Sequence, residues 1–260
     1  MSAVLKPSKS KSVKDRVSKE EWNLRVDLAA AYHLAAYYKW TDLIYTHFSA
    51  RLPGDDEFLI NPYGLMFEEI TASNLIRIDH HGKIVDDPLD LGYNEAGFVI
   101  HGCIHEARPE AACVIHTHTR AGVAVSAMKC GLLPISQHAM RVQRQVSYHD
   151  YEGIALDMDE RARMAADLGR KSKAMILRNH GLLTLGESVR EAFELMYYLD
   201  CACQIQVDAV AGGMDNVIQM SKQAGDSAAK QFERIGRPST HKDWPALLRL
   251  LERRGSNYAS

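Results

Sequence analysis

Residues 112–118 read Ala112-Cys-Val-Ile-His-Thr-His118, four small or apolar residues followed by a His-x-His ending. A run of this length, opening just after Arg108-Pro109, reads as a buried strand. Along a strand, residues i and i+2 face the same side roughly 6.5–7 Å apart, so two imidazoles can converge on one ion at a metal–nitrogen distance of about 2.0–2.1 Å. His116 and His118 are therefore candidate ligands carried by a stiff element. A buried strand needs helices against it, and the flanks supply them. Residues 95–107 have a helical pattern that Arg108-Pro109 stops, and the small residues Ala121–Met128 suit a second helix.

Further out the alternation continues. Ser18 with Glu21 forms a capping-box pattern ahead of Trp22, and Leu24, Leu28, Ala31, Leu34 and Ala35 recur at helical spacing to about Lys39. Ile44–Leu52 alternates like a strand, Pro53–Asp56 is a turn, and Phe58–Ile60 is a second short strand. Thr71–Asn74 reads as the cap of a short helix. Arg77–Asp79 and Lys83–Val85 suggest a hairpin around His81-Gly82. Val146–Tyr148 and Met175–Leu177 are strand candidates with a helix near Glu160–Gly169 between them, and Val189 to about Ala211 is helical. Helices and short strands without an internal linker predict one α/β domain over residues 18–211, its sheet covered by helices. Residues 1–17, rich in Lys and Ser, are expected to be a disordered basic tail. Residues 212–260 form an extension whose packing the sequence leaves open.

The 260 residues carry 31 Lys+Arg against 33 Asp+Glu, a net charge of −2 that excludes a general nucleic-acid binder. Five cysteines, an odd number without a CxxC, read as reduced thiols. The N-terminus lacks an apolar signal region, and no stretch approaches about 18 consecutive apolar residues, so the expected location is cytoplasmic, with no membrane partner. The surplus is in histidine, with 12 residues, which directs attention to metal or acid–base chemistry.

A third ligand candidate is His180, in Met175-Ile-Leu-Arg-Asn-His-Gly181, where a strand gives way to a glycine turn. Three neutral imidazoles with open positions describe a catalytic metal site rather than a closed structural one. Spacing alone does not join His180 to the pair, and an HxH pattern also occurs without a metal. His101 and His105 lie at i, i+4 on one helix face. No Glu follows His101, so this is not a zinc-protease HExxH motif, and packing or a supporting role is the favoured reading.

Arg108-Pro-Glu-Ala-Ala-Cys-Val-Ile-His-Thr-His118 and Asn179-His-Gly-Leu-Leu183 resemble the class II aldolase/adducin family, with Phe48–Arg51 and Leu59–Gly64 in support. Asn94–Phe98, Ala124–Ile135 and Tyr148–Gly153 are similar to the adducin-head branch. The resemblance covers roughly residues 20–210. It implies a single three-layer α/β/α domain with a central mixed sheet, zinc (or another divalent first-row metal) on His116, His118 and His180, and a homotetramer acting on a small-molecule substrate. In the family's sugar-phosphate aldolases a catalytic carboxylate lies nineteen residues before the first metal histidine. Here that position is Gly97, which cannot move a proton. The family's phosphate-binding pairs fall on Thr46-His47 and Glu95-Ala96, and a glutamate beside a phosphate would be repulsive. The resemblance thus implies a lyase or related carbonyl enzyme working through a metal-stabilised enolate on a non-phosphorylated hydroxy or oxo compound. Glu95 and His138 are the candidate acid/base groups, an exposed loop histidine after Pro134 being the alternative reading of His138, with Tyr258 a further contributor across a subunit interface. The alternative it leaves open is a non-catalytic adducin-head-like oligomerisation or binding module that keeps the metal site. Adducin's actin-binding tail has no counterpart in these residues.

Overall fold

The computed structural model describes residues 12–54, 56–153, 159–235 and 242–260. Its helices are α1 (Val13–Arg16), α2 (Lys19–Tyr37), α3 (Glu95–Ala107), α4 (Arg120–Ser126), α5 (Gln137–Val142), α6 (Glu160–Leu168), α7 (Val189–Val210), α8 (Lys222–Ile235) and α9 (Asp243–Arg253). The strands are β1 (His47–Arg51), β2 (Glu57–Ile60), β3 (Ile76–Asp79), β4 (Ile84–Asp86), β5 (Cys113–Thr117), β6 (Val146–His149), β7 (Ala174–Leu177) and β8 (Gly181–Gly186).

One sheet orders them β4-β3-β2-β1-β5-β8-β7-β6. Every neighbouring pair is antiparallel except β6 with β7, so the sheet is mixed. Alternation along each strand divides the side chains between two layers. Phe48, Ala50, Cys113, Ile115, Ile176 and Leu182 share a core with α2 and α7. Val114, Met175, Leu177, Leu183 and Leu185 turn the other way, onto Val99, Ile100, Cys103 and Ile104 of α3 and Met164 and Leu168 of α6. The result is the three-layer α/β/α domain expected.

Local chemistry fixes the ends of these elements. The Ser18 hydroxyl accepts from the Glu21 amide at 3.0 Å and starts α2. The Glu21 carboxylate does not close a capping box. It takes an ion pair from buried Arg25 at 2.8 Å, and Arg25 also donates to the Leu75 carbonyl at 2.9 Å. That bond welds α2 to the turn before β3.

Three expectations need correction. Residues 12–17 are not a disordered tail: Ser12 caps α1, Val13 is buried, and Arg16 pairs with Asp86 at 3.3 Å. The expectation for residues 1–11 lies outside the described residues. Thr71–Asn74 is a turn, because the Asn74 side chain accepts the Thr71 amide at 2.8 Å and offers a backbone turn instead of a helix start. Residues 181–186 are a strand, β8, buried along its whole length between β5 and β7.

The C-terminal extension packs on its own chain. Trp244 of α9 joins the core and donates to Asp27 at 3.1 Å, while the amides of Ala72 and Ser73 donate to the carbonyls of Tyr258 and Ser260 at 2.8 and 3.0 Å. Tyr258 is only 6% exposed and sits beside His33, so its side chain is committed within the chain.

Candidate metal centre

β1 and β5 pair with His47 opposite His116 and Ser49 opposite Val114. All four side chains therefore face α3. β5 ends at Thr117, and His118 continues beyond it on the same side as His116. His180 comes from the connection between β7 and β8. That connection needs Asn179 in the left-handed region, φ +56°, which asparagine tolerates. It also needs glycine at 181, where a Cβ would collide with the Thr117 carbonyl oxygen. These two residues turn the chain sharply enough to bring His180 over the end of β5.

The three imidazoles converge. His116 Nε2 and His180 Nε2 lie 2.9 and 3.0 Å from His118 Nε2, and all three ligand atoms fall within 4.8 Å of one another. Their protons are assigned from the opposite ring edges. The carbonyl of Leu182 can only accept, so His116 Nδ1 donates to it at 3.0 Å; the Asp42 carboxylate takes a bond from His118 Nδ1 at 2.9 Å. Both Nε2 atoms therefore carry lone pairs that face each other. Neutral nitrogens so placed cannot bond one another, whereas a cation among them satisfies all three. A tetrahedral ion at about 2.0–2.1 Å would hold its nitrogens about 3.3–3.4 Å apart, a few tenths of an ångström wider than here. Burial keeps His116 well below the ordinary histidine range, and His180 and His118 reinforce the shift. His180 is pushed down to about 4, by burial first and His118 second. Neutral imidazole is the ligating form.

Asp42 was not visible in the sequence as part of this site. It lies on a loop from Lys39 to Thr46 in which Lys39, Leu43 and Thr46 all have positive φ, from +50° to +69°. A carboxylate behind a ligating histidine fixes its ring and tautomer. Tyr151, 55% exposed, places its ring 6.4 Å from that of His180 at the outer edge.

The other expected site residues are not brought to the trio within the chain. Glu95 stands exposed on the first turn of α3, and two residues of helix turn it about 200° from the direction of Gly97. Gly97 does face the site, where a Cβ would come 2.8 Å from the His47 ring. His138 lies on α5, half-buried with its ring 5.9 Å from that of Tyr198 on α7, in the opposite helix layer. It is a helical residue, where the sequence suggested a loop.

Behind the trio, on the α3 side, a second histidine cluster is sealed in. His47 Nδ1 lies 2.8 Å from His101 Nε2, His101 Nδ1 2.5 Å from Ser49 Oγ, and Ser49 Oγ 2.8 Å from His105 Nε2. His105 Nδ1 donates to the Ala111 carbonyl at 3.0 Å. Burial drives His47 and His105 down to about 3 and His101 well below the usual range. The nearest charges add to this: His118 and His180 for His47, the His47 and His105 rings for His101, and Arg51 for His105.

The sequence model of the class II aldolase and adducin N-terminal domain matches residues 26–207, which span the sheet and both histidine clusters. The chain belongs to this family. A crystal structure of an aldolase II superfamily protein from Pseudomonas syringae is 53% identical, covers 96% of this chain and 100% of its own, and superposes with a TM-score of 0.92. An L-fuculose 1-phosphate aldolase from Glaciozyma antarctica is 27% identical over 97% of this chain and 96% of its own, with a TM-score of 0.80. Alpha-adducin of Rattus norvegicus is 46% identical over 91% of this chain, but the match spans only 34% of that longer protein. Family membership and fold thus agree with the resemblance carried by residues 108–118 and 179–183.

Proposed function

We propose that the chain is a metal-dependent lyase or related carbonyl enzyme of the class II aldolase family, acting on a small, non-phosphorylated hydroxy or oxo compound. The observation that supports this most is the convergence of three Nε2 atoms, two of them with their Nδ1 protons tied to Asp42 and Leu182. His116, His118 and His180 would hold the ion, zinc being the first candidate for three neutral imidazoles. Bound there, it would supply Lewis-acid polarisation of a substrate carbonyl. The chain's own contribution is to hold His116 and His180 neutral, to orient the rings of His116 and His118, and to leave Tyr151 at the open edge.

A set of aldols and β-keto acids tests the reading. Turnover of one of them, abolished in His180→Ala, is expected. A metal-loaded protein inert toward the whole set would favour the second reading, a binding or oligomerisation module that retains the metal site. Gly97 speaks for that alternative, because it leaves its space to the His47 ring where a proton-transfer carboxylate would otherwise fit. Assembly as a homotetramer in the cytoplasm belongs to the same proposal. Leu43 and Tyr45, 67% and 46% exposed on the loop that carries Asp42, offer apolar surface for it. Light scattering at the mass of a monomer would contradict it. Among the described residues no helix is long and apolar enough to cross a membrane.

A further inference from the structure

The buried cluster behind the trio has a direction. Its deep end is the Ala111 carbonyl, which can only accept, so the proton of His105 is on Nδ1. His105 Nε2 then carries a lone pair, and the one hydroxyl proton of Ser49 must point at it. Ser49 Oγ, its proton spent, accepts from His101 Nδ1–H. His101 Nε2 is left with a lone pair and accepts from His47 Nδ1–H. One carbonyl therefore assigns three tautomers in sequence, and none of the four links has a free choice. The partners along the run are imidazoles, a hydroxyl and a carbonyl, with no carboxylate to stabilise an imidazolium. Full burial holds the rings neutral.

The run ends beside the trio. His47 Nδ1 is committed, so Nε2, on the other side of the ring, carries a lone pair. The ring lies against that of His116, with centroids 5.2 Å apart. Gly97 crowds the same edge only with hydrogen: a Cβ there would stand 3.1 Å from Nε2. Gly97, His101 and His105 recur every four residues, so one stripe of α3 both leaves room for the His47 ring and supplies its anchors. The stripe of β1 that meets it is His47 and Ser49.

We propose that the run Ala111–His105–Ser49–His101 is a tautomer lock that holds His47 as a hydrogen-bond acceptor beside the metal trio, selecting a substrate with a hydroxyl there and disfavouring a phosphate. A hydroxyl has a proton to give to Nε2. A phosphate monoester is an anion near neutral pH, and a neutral Nε2 without a hydrogen has nothing to offer it. His47 is thus a specificity residue, and His101, Ser49 and His105 are positioning residues. The substrate-selecting half rests on the function proposed above; the tautomer lock does not.

The test is a two-bond proton–nitrogen correlation spectrum of zinc-loaded protein with nitrogen-15 histidines near neutral pH, assigned with His47→Gln, His101→Gln and His105→Gln. The lock predicts the proton on Nδ1 in all three rings. In Ser49→Ala, His105 stays on the Ala111 carbonyl while His47 and His101 shift toward the Nε2–H form. Finding the wild-type His47 proton on Nε2, or on both nitrogens, overturns the lock even if Ser49→Ala does not fold. Titration of the same sample at about pH 8 with glycolate should move the His47 Nε2 resonance, and phosphoglycolate, whose phosphate is there a dianion without a proton, should leave it in place. No movement with glycolate, or movement with phosphoglycolate, overturns the selecting half. Absence of turnover with an intact lock would count against the proposed function alone.

Discussion

Two histidine clusters, carried by adjacent strands and facing the same layer, are wired in opposite senses. In the trio of His116, His118 and His180, two Nδ1 protons point outward to Leu182 and Asp42, and the Nε2 lone pairs are gathered at one point. In the run of His105, Ser49, His101 and His47, each lone pair is taken up by the next donor, so all but the last are spent in single file. The first arrangement is left wanting a cation, and the second a hydrogen-bond donor. The difference follows from the elements that supply them. Three histidines from a strand end and a tight turn can meet at a vertex, whereas a helix stripe laid along a strand can only meet it link by link.

Removing a vertex ligand should have the largest effect on metal. His180→Ala is expected to lose more affinity than the roughly 10–100-fold that loss of an outer partner costs, with the fold intact by circular dichroism. Asp42→Ala removes such an outer partner, and a competition titration with a chelator should find about 10–100-fold weaker binding. If Asp42→Ala binds metal as well as the parent, the carboxylate does not orient His118.

The buried run should break the other way. Ser49→Ala leaves one ring nitrogen on each of His101 and His105 without a partner in a dry interior, at a cost of about 1–3 kcal/mol each in denaturant unfolding. Metal affinity should change far less than in Asp42→Ala, and a larger loss of metal than of stability would erase the contrast between the clusters. The run should also make stability depend on pH. A histidine held near 3 when folded and near 6.5 when unfolded binds its proton only in the unfolded chain between those values. Stability is therefore full above about 6.5 and falls as the pH drops, by about 1.4 kcal/mol per pH unit for each such imidazole. His105→Gln should flatten that slope by about one imidazole's share.

Much of this was legible in residues 95–118, where a helix stopped by Arg108-Pro109 and an apolar run before His116 leave little choice of element. His180 was legible as a strand end before Gly181, although the strand after it was not. Gly181–Gly186 shows no alternation because both of its faces are buried, and its flanking glycines imitate a turn. Helix α5 is six residues long, too short for a periodicity, so His138 read as a loop residue. Asp42 and the His47–His101 pair lie 76 and 54 residues from their partners in sequence. Only the register of β1 on β5 and the docking of α3 bring them in, and no local pattern encodes either. Gly97 was conspicuous as a missing carboxylate, but the ring that fills its space was not visible in the sequence.

The claim on which the rest depends is that the vertex is a metal site. It is tested most directly by elemental analysis of the protein as purified, beside His116→Ala and His118→Ala prepared identically. The account predicts about one divalent ion per wild-type chain and loss of it in both variants with the fold retained. Less than a tenth of an ion per chain in the wild type, or full occupancy in either variant, would contradict it.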